Sequence, residues 1–123
     1  MTFFQQMRHR LLLRAGLAEL PPPIPGARLP DLFATEWSGE FEQLMRNRLV
    51  MGALRYGRLG APGKPQYDRI ASIVRRLEKY RATGNLEMLV DAANLCLCEF
   101  VEGDHPLKHF SALDDGEHCG ARK

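Results

Sequence analysis

In residues 85–102, NLEMLVDAANLCLCEFVE, polar side chains recur at the spacing of one helical face. At about 100° per residue, Glu87, Asp91, Asn94, Cys98 and Glu102 fall on a single line. Nearly everything else around that helix is apolar. A surface helix ordinarily shows a wider polar face. The strip is therefore either the solvent edge of a helix wrapped by neighbours, or the lining of a cleft between helices. In a cleft, carboxylates spaced i, i+3 and i, i+4 can hold a hard divalent cation through oxygen.

A phosphorylated ligand at such a site also needs positive charge. Residues 39–56 supply Arg46, Arg48 and Arg55, and residues 67–82 supply Arg69, Arg75, Arg76 and Lys79. Each alone reads equally well as a solvated charge or a surface ion pair. Arg48 differs, because it borders an apolar stripe. The tail holds His105, His109, His118 and Cys119 near Asp114 and Asp115. His105-x-x-x-His109 has the spacing of two zinc ligands on one helical face. Pro106 puts His105 at or before the start of any helix, and no cysteine pair accompanies it, so a zinc site is a minor reading. Cys119 lies in a polar end and is not read as a catalytic thiol. Cys96 and Cys98 read as small buried hydrophobes. Trp37 reads as a staple at a helix entry.

The elements that must position these residues are helical. Phe4, Met7, Leu11 and Ala15 give a helical stripe over 2–19. PPPIPGARLP, 21–30, then stops any helix, because proline lacks the donor and clashes with the preceding turn. Ser38 is a good N-cap for a helix over Gly39–Tyr56, with Phe41, Leu44, Met45, Leu49 and Gly52 as its apolar stripe. Gly57, Gly60, Pro62, Gly63 and Pro65 make a loop. A third helix is predicted over 67–82, with Ile70, Ile73, Val74, Leu77 and Arg81 facing inward. Gly84 suits a left-handed helix end, and Asn85 accepts the first free amides of the next helix. That fourth helix is the opening stretch, about Leu86–Val101. Gly103, Asp104 and Pro106 end it. The tail has little period.

At 123 residues the chain has room for one core. The reading divides it into an N-terminal helix with its proline-rich connector, 1–33, and an all-α core domain with a tail, 34–123. A net charge of +2 does not mark a nucleic-acid binder. Three cysteines without regular spacing argue against a disulfide framework and for a reducing, cytoplasmic compartment. No apolar run is long enough to span a membrane. Short helices with one almost wholly apolar member predict a homo-oligomer, a dimer or larger.

Two stretches together resemble a known family. GALRYG, 52–57, ends one helix, and RRLEKYRATGN leads into LVDAANL, an Asp-x-x-Asn on an apolar helix. The combination resembles the MazG-like, all-α nucleoside-triphosphate pyrophosphohydrolases, particularly small phage-type dATP/dGTP diphosphohydrolases, over about residues 38–101. The resemblance implies a compact bundle of about four helices. It also implies Mg²⁺, with Mn²⁺ as an alternative, held by carboxylates of two neighbouring helices. Cleavage then falls between the α- and β-phosphates and yields a monophosphate and pyrophosphate. By this resemblance Glu78 matches the second acid of an E-x-x-E piece, with Arg75 at the place of the first. Asp91 and Asn94 match an E-x-x-D piece, and Glu87 and Glu42 are further acids within reach. The implied metal ligands are Glu78, Glu87, Asp91 and Asn94, with Glu78 or Glu87 orienting the attacking water. Arg48, Arg55 and Lys79 would face the phosphates, and Tyr56 and Tyr80 the base. The alternative is a non-catalytic relative that binds a nucleotide or a protein partner, with the N-terminal helix and proline arm as its docking element.

Overall fold

The computed structural model describes residues 2–14, 28–112 and 119–122. Among these every regular element is an α-helix: α1 (Phe3–Arg14), α2 (Leu29–Thr35), α3 (Gly39–Tyr56), α4 (Arg69–Thr83) and α5 (Glu87–Glu102). The fold is all-α. None of these helices is long and apolar enough to cross a membrane. The chain forms two compact units, one of residues 33–108 and one of residues 1–32 with 109–123. The junction falls inside α2.

The proline stretch does not exclude helix as far as residue 30. Pro30 is the second residue of α2, where its missing N–H would be unsatisfied in any case. The chain thus has five described helices rather than about four. The Ala15 end of the first predicted helix, and most of the connector, lie outside the described residues.

Unit 33–108 is built around α5. Both α3 and α4 pack on it, one on each side. The local signals that start and stop these helices act as the sequence suggests. Ser38 Oγ accepts the Phe41 amide at 3.1 Å and opens α3. Asp68 Oδ1 accepts the Ala71 amide at 3.1 Å and opens α4. Gly84, at φ 71°, closes α4 in the left-handed region that favours glycine. Asn85 Oδ1 then accepts the Glu87 amide at 3.0 Å. Trp37 is no hydrophobic staple. It is largely exposed and donates through Nε1 to Glu42 Oε2 at 3.1 Å.

The inward face of α4 differs from the sequence reading. Ile70, Val74 and Leu77 are exposed, whereas Arg69 is buried and Ser72, Ile73, Arg76 and Tyr80 are half-buried. The apolar stripe exists, but α5 meets the neighbouring stripe instead. Cys96 is also exposed, not buried, and Cys98 is half-buried. Among the described residues the buried ones are Val90, Ala92, Arg69 and Asn94, so half of this small core is polar.

Arg69 is tolerated there because it is paired. Its Nη1 lies 3.1 Å from Glu99 Oε2 and its Nη2 3.2 Å from Glu102 Oε1. Its guanidinium also sits 5.8 Å from the centroid of the Tyr67 ring. Glu102 in turn takes Lys64 Nζ at 2.6 Å and the Gly60 amide at 2.9 Å on Oε2. Its backbone carbonyl accepts Gln66 Nε2 at 3.0 Å. Gly103 makes room for this corner, since any side chain there would collide with the carbonyl and carboxylate of Glu99.

The Lys64 hydrogen bond holds the Glu102 carboxyl below its ordinary value of 4.5 against the opposing effect of burial, with the Gly60 amide and the Lys64 and Arg69 charges adding to it. A group lowered in this way contributes stability that is complete above the unfolded value and lost as pH falls through the folded one. Urea unfolding is therefore expected to show stability falling below about pH 4.5. Glu102→Gln should be less stable at pH 7 by on the order of 2 to 4 kcal/mol and should show a flatter acid limb. An unchanged acid limb in that variant would remove Glu102 as its source.

Candidate functional site

Helix α5 presents its polar strip between α3 and α4. Asp91, Asn94, Cys98 and Glu102 line a cleft of about 360 Å³ there, a size typical of small-molecule sites. From α3 come Arg48, Leu49, Gly52, Arg55 and Tyr56, and from α4 come Arg69, Ser72 and Arg76. The α3–α4 loop closes one end with Leu59, Lys64 and Tyr67. Of the two readings of the strip, the cleft is the one the geometry bears out.

Arg48 reaches across from α3 and bridges two acids of α5. Its Nη2 lies 2.8 Å from Glu87 Oε1, and its Nε lies 3.2 Å from Asp91 Oδ1. A second bond runs from Nη2 to Asp91 Oδ2 at 3.4 Å. The hydrogen bond to Asp91 raises the already high value of Arg48, with the Asp91 charge adding and the Glu87 charge a smaller contributor. Arg76 approaches the same Asp91 only to 4.0 Å and otherwise donates to the Ser72 carbonyl at 3.2 Å. Among the described residues Arg55 is in no ion pair.

Five basic side chains, Arg48, Arg55, Lys64, Arg69 and Arg76, therefore line the cleft against two carboxylates, Asp91 and Glu102. Arg48, Lys64 and Arg69 are committed to acids. Arg55 is in no ion pair among the described residues, and Arg76 holds Asp91 only at 4.0 Å. Beside them Tyr56 and Tyr67 meet edge to face, with ring centroids 5.8 Å apart. Such a surface suits an anion that also carries an apolar, planar part.

Asn94 has a different task from the one its spacing implies. Its Nδ2 donates to the Met45 carbonyl at 3.0 Å and so ties α5 to α3. Its Oδ1 is buried without a hydrogen-bond partner. An ionised acid at 94 could not make the bond to Met45. It would set a carboxylate against a carbonyl oxygen in a dry place.

The structure brings together Arg48, Arg55, Tyr56, Asp91 and Asn94 of the sequence candidates, with Glu87 joined through Arg48. It does not bring in Glu78, Lys79 or Tyr80, which do not line the cleft; Glu78 and Lys79 are exposed. Glu42 is engaged with Trp37 and Arg46. Among the described residues no three His, Cys, Asp or Glu side chains converge as a metal set. Of the implied Mg²⁺ ligands, Glu78 lies outside the cleft, and Glu87 and Asp91 are bridged by Arg48. His105 Nδ1 accepts the Leu107 amide at 3.0 Å in a non-helical segment, so it shares no helical face with His109. His118 lies outside the described residues. Sequence reasoning missed Lys64 and Tyr67. The loop gave no periodicity from which to place them.

Asn94→Asp is expected to lose about 2 to 3 kcal/mol of stability at pH 7, and Asn94→Ala about 1 to 2. The Asp variant should regain part of its loss toward pH 5, as the acid protonates and recovers a donor. Urea unfolding at the two pH values checks this. An Asp variant as stable as the parent at pH 7 would show that the Met45 bond is dispensable.

No protein-family model matches this chain, and neither a curated protein nor a solved structure matches it.

Proposed function

We propose that the cleft between α3, α4 and α5 binds a phosphorylated small molecule with a planar apolar part, of the nucleotide class. The observation that carries this is the excess of cations over carboxylates lining the cleft, with Arg55 in no ion pair among the described residues and Arg76 no nearer than 4.0 Å to its one acid, beside Tyr56 and Tyr67. Charge-assisted bonds from a guanidinium to phosphate are among the stronger polar contacts a site can offer. The carboxylates of the cleft work as anchors for Arg48, Arg69 and Lys64 and need no metal to stay in place. This reading is the non-catalytic alternative of the sequence analysis. It includes self-association of the chain and no membrane.

A second reading is Mg²⁺-dependent pyrophosphohydrolysis at the same cleft. One feature favours it. Glu87 and Asp91 converge on one guanidinium nitrogen of Arg48, at 2.8 and 3.4 Å, so the pair already frames a cation. For hydrolysis Arg48 must withdraw and leave that place to the metal, which would neutralise phosphate charge.

Isothermal titration of the full chain with ATP, dATP and ADP separates the two. The binding reading expects saturable heat in EDTA that weakens with salt. Arg55→Ala and Arg76→Ala should each weaken it by about 5- to 30-fold. Lys79→Ala, outside the cleft, should leave it within about twofold. Asp91→Ala should leave binding intact or tighten it, because a negative charge is removed from an anion site. Absence of nucleotide binding in EDTA and in Mg²⁺ would remove the proposal. Pyrophosphate release in Mg²⁺ or Mn²⁺ that Asp91→Ala abolishes would establish the second reading.

A further inference from the structure

The polar strip of α5 uses only one of its four sides. The α3 side carries Asn94, bonded to the Met45 carbonyl. The α4 side carries Glu99, paired with Arg69. At about 100° per residue, the side opposite the strip carries Leu86, Leu89, Ala93, Cys96 and Phe100. Leu86 and Phe100 are 67% and 70% exposed, and Cys96 is also exposed.

Helix α4 continues this side. Its Arg69, Ser72 and Arg76 line the cleft. The half-buried Ile73 and Tyr80 come next around the helix, toward α5. Beyond them, turned away from the cleft, come Leu77, Ile70 and Val74, all exposed. Their spacing, 70, 74, 77, then Arg81, alternates four and three residues, which is the seam pattern of paired helices. The two helices together thus carry one apolar face on the back of the cleft. Only Arg81 puts a charge on it, at one end.

We infer that this α4–α5 face is the surface on which a second copy of the chain docks, back to back, so that α4 and α5 of both copies form a four-helix bundle with the two clefts pointing outward. Area and shape favour a second copy over another occupant. Helices of 15 and 16 residues are about 23 Å long, and side by side they make a face about 20 Å wide. Closed on itself, such a face removes on the order of 1,000 Å² from water, the lower bound for a stable pair. Helix α1 has 12 residues and could cover only half its width. It also carries Arg8 and Arg10 with no acid, and so offers nothing to Arg81. A second copy brings both signs, because Glu78 stands at the rim about one turn before Arg81. A two-fold axis sets unlike rim charges within reach and places the apolar seams on each other.

This inference concerns assembly and does not depend on what the cleft binds. Sedimentation equilibrium of the full chain is expected to give the mass of two copies at about 50 µM. Leu77→Glu and Phe100→Glu should each give the mass of one, with unchanged helical circular dichroism. Leu54→Glu, on the exposed outer edge of α3, should remain paired. Nucleotide binding, where present, should change less than threefold or so in Leu77→Glu, since the cleft is on the other side. A parent chain of single-copy mass overturns the inference. So does a pair that survives both glutamate variants, because the contact then lies elsewhere. Should the glutamates unfold the chain, hydrogen exchange of the parent decides. Dilution to about 0.5 µM should speed exchange over 70–77 and 89–100, and equal rates at both concentrations would overturn the assignment.

Discussion

Glu102 stands at the last position of α5 and collects the Lys64 ammonium, the Arg69 guanidinium and the Gly60 amide on one carboxylate. An acid at a helix C-terminus is normally disfavoured by the helix dipole. Two cations and a backbone donor reverse that balance here. The consequence is geometric. Lys64 and Gly60 belong to the loop after α3, and Arg69 is the first residue of α4. One side chain therefore fixes where the loop runs, where α4 begins and how far α4 stands from α3. The separation of α3 and α4 is what leaves a cleft over the polar strip. A bundle with an apolar residue at 102 would have no such tether, and its loop would lose its anchor.

The other end of the cleft has its own tie. Arg48 holds Glu87 and Asp91 from α3, in a place more open to water than the Glu102 corner. Partly exposed pairs contribute little stability. The value of this one lies in geometry, because it spans two helices. Asn94 adds a neutral tie between the same two helices, nearer the middle. The apolar contribution is small by comparison, since Val90 and Ala92 are the buried hydrophobic side chains among the described residues. Unit 33–108 thus draws its specificity from polar bonds. Much of its apolar surface remains for the association inferred above.

The helices were legible in the sequence because their boundaries rest on local chemistry. Ser38, Gly84 and Asn85 act on their own neighbours, and each does so as its type suggests. The polar strip of α5 was legible for the same reason, since one helix suffices to align it. What failed was the judgement of which face of α4 meets its neighbour. The α4 periodicity shows an apolar stripe at 70, 74 and 77 but says nothing of what covers it. Helix α5 packs beside that stripe and leaves it bare. Glu78 fell out of the site for this reason. It lies next to the stripe and not over the cleft. Asn94 was placed in the cleft, but the bond of its nitrogen to the Met45 carbonyl was not legible, because it needs a second helix. Lys64 and Tyr67 lie in a glycine- and proline-rich loop, where spacing carries no direction.

On the proposed binding function, the order of side chains along the strip favours an anion over a metal in the cleft. Charge sits at the two ends, Glu87 and Asp91 at one and Glu102 at the other, and the middle positions are Asn94 and Cys98. Burial, with the charge of Glu102 adding to it, pushes the Cys98 thiol up, so it stays neutral near pH 7. Each acidic end is matched by cations from a neighbouring element and is spent on holding that element. The neutral middle shares the cleft with Arg55, which is in no ion pair among the described residues, and with Arg76, whose one acid, Asp91, stands 4.0 Å away. A metal needs several oxygens free at one point, and the acids of this strip are divided and occupied. The proposed phosphate group needs donors around an uncharged floor, which α5 would provide while α3 and α4 would bring the donors.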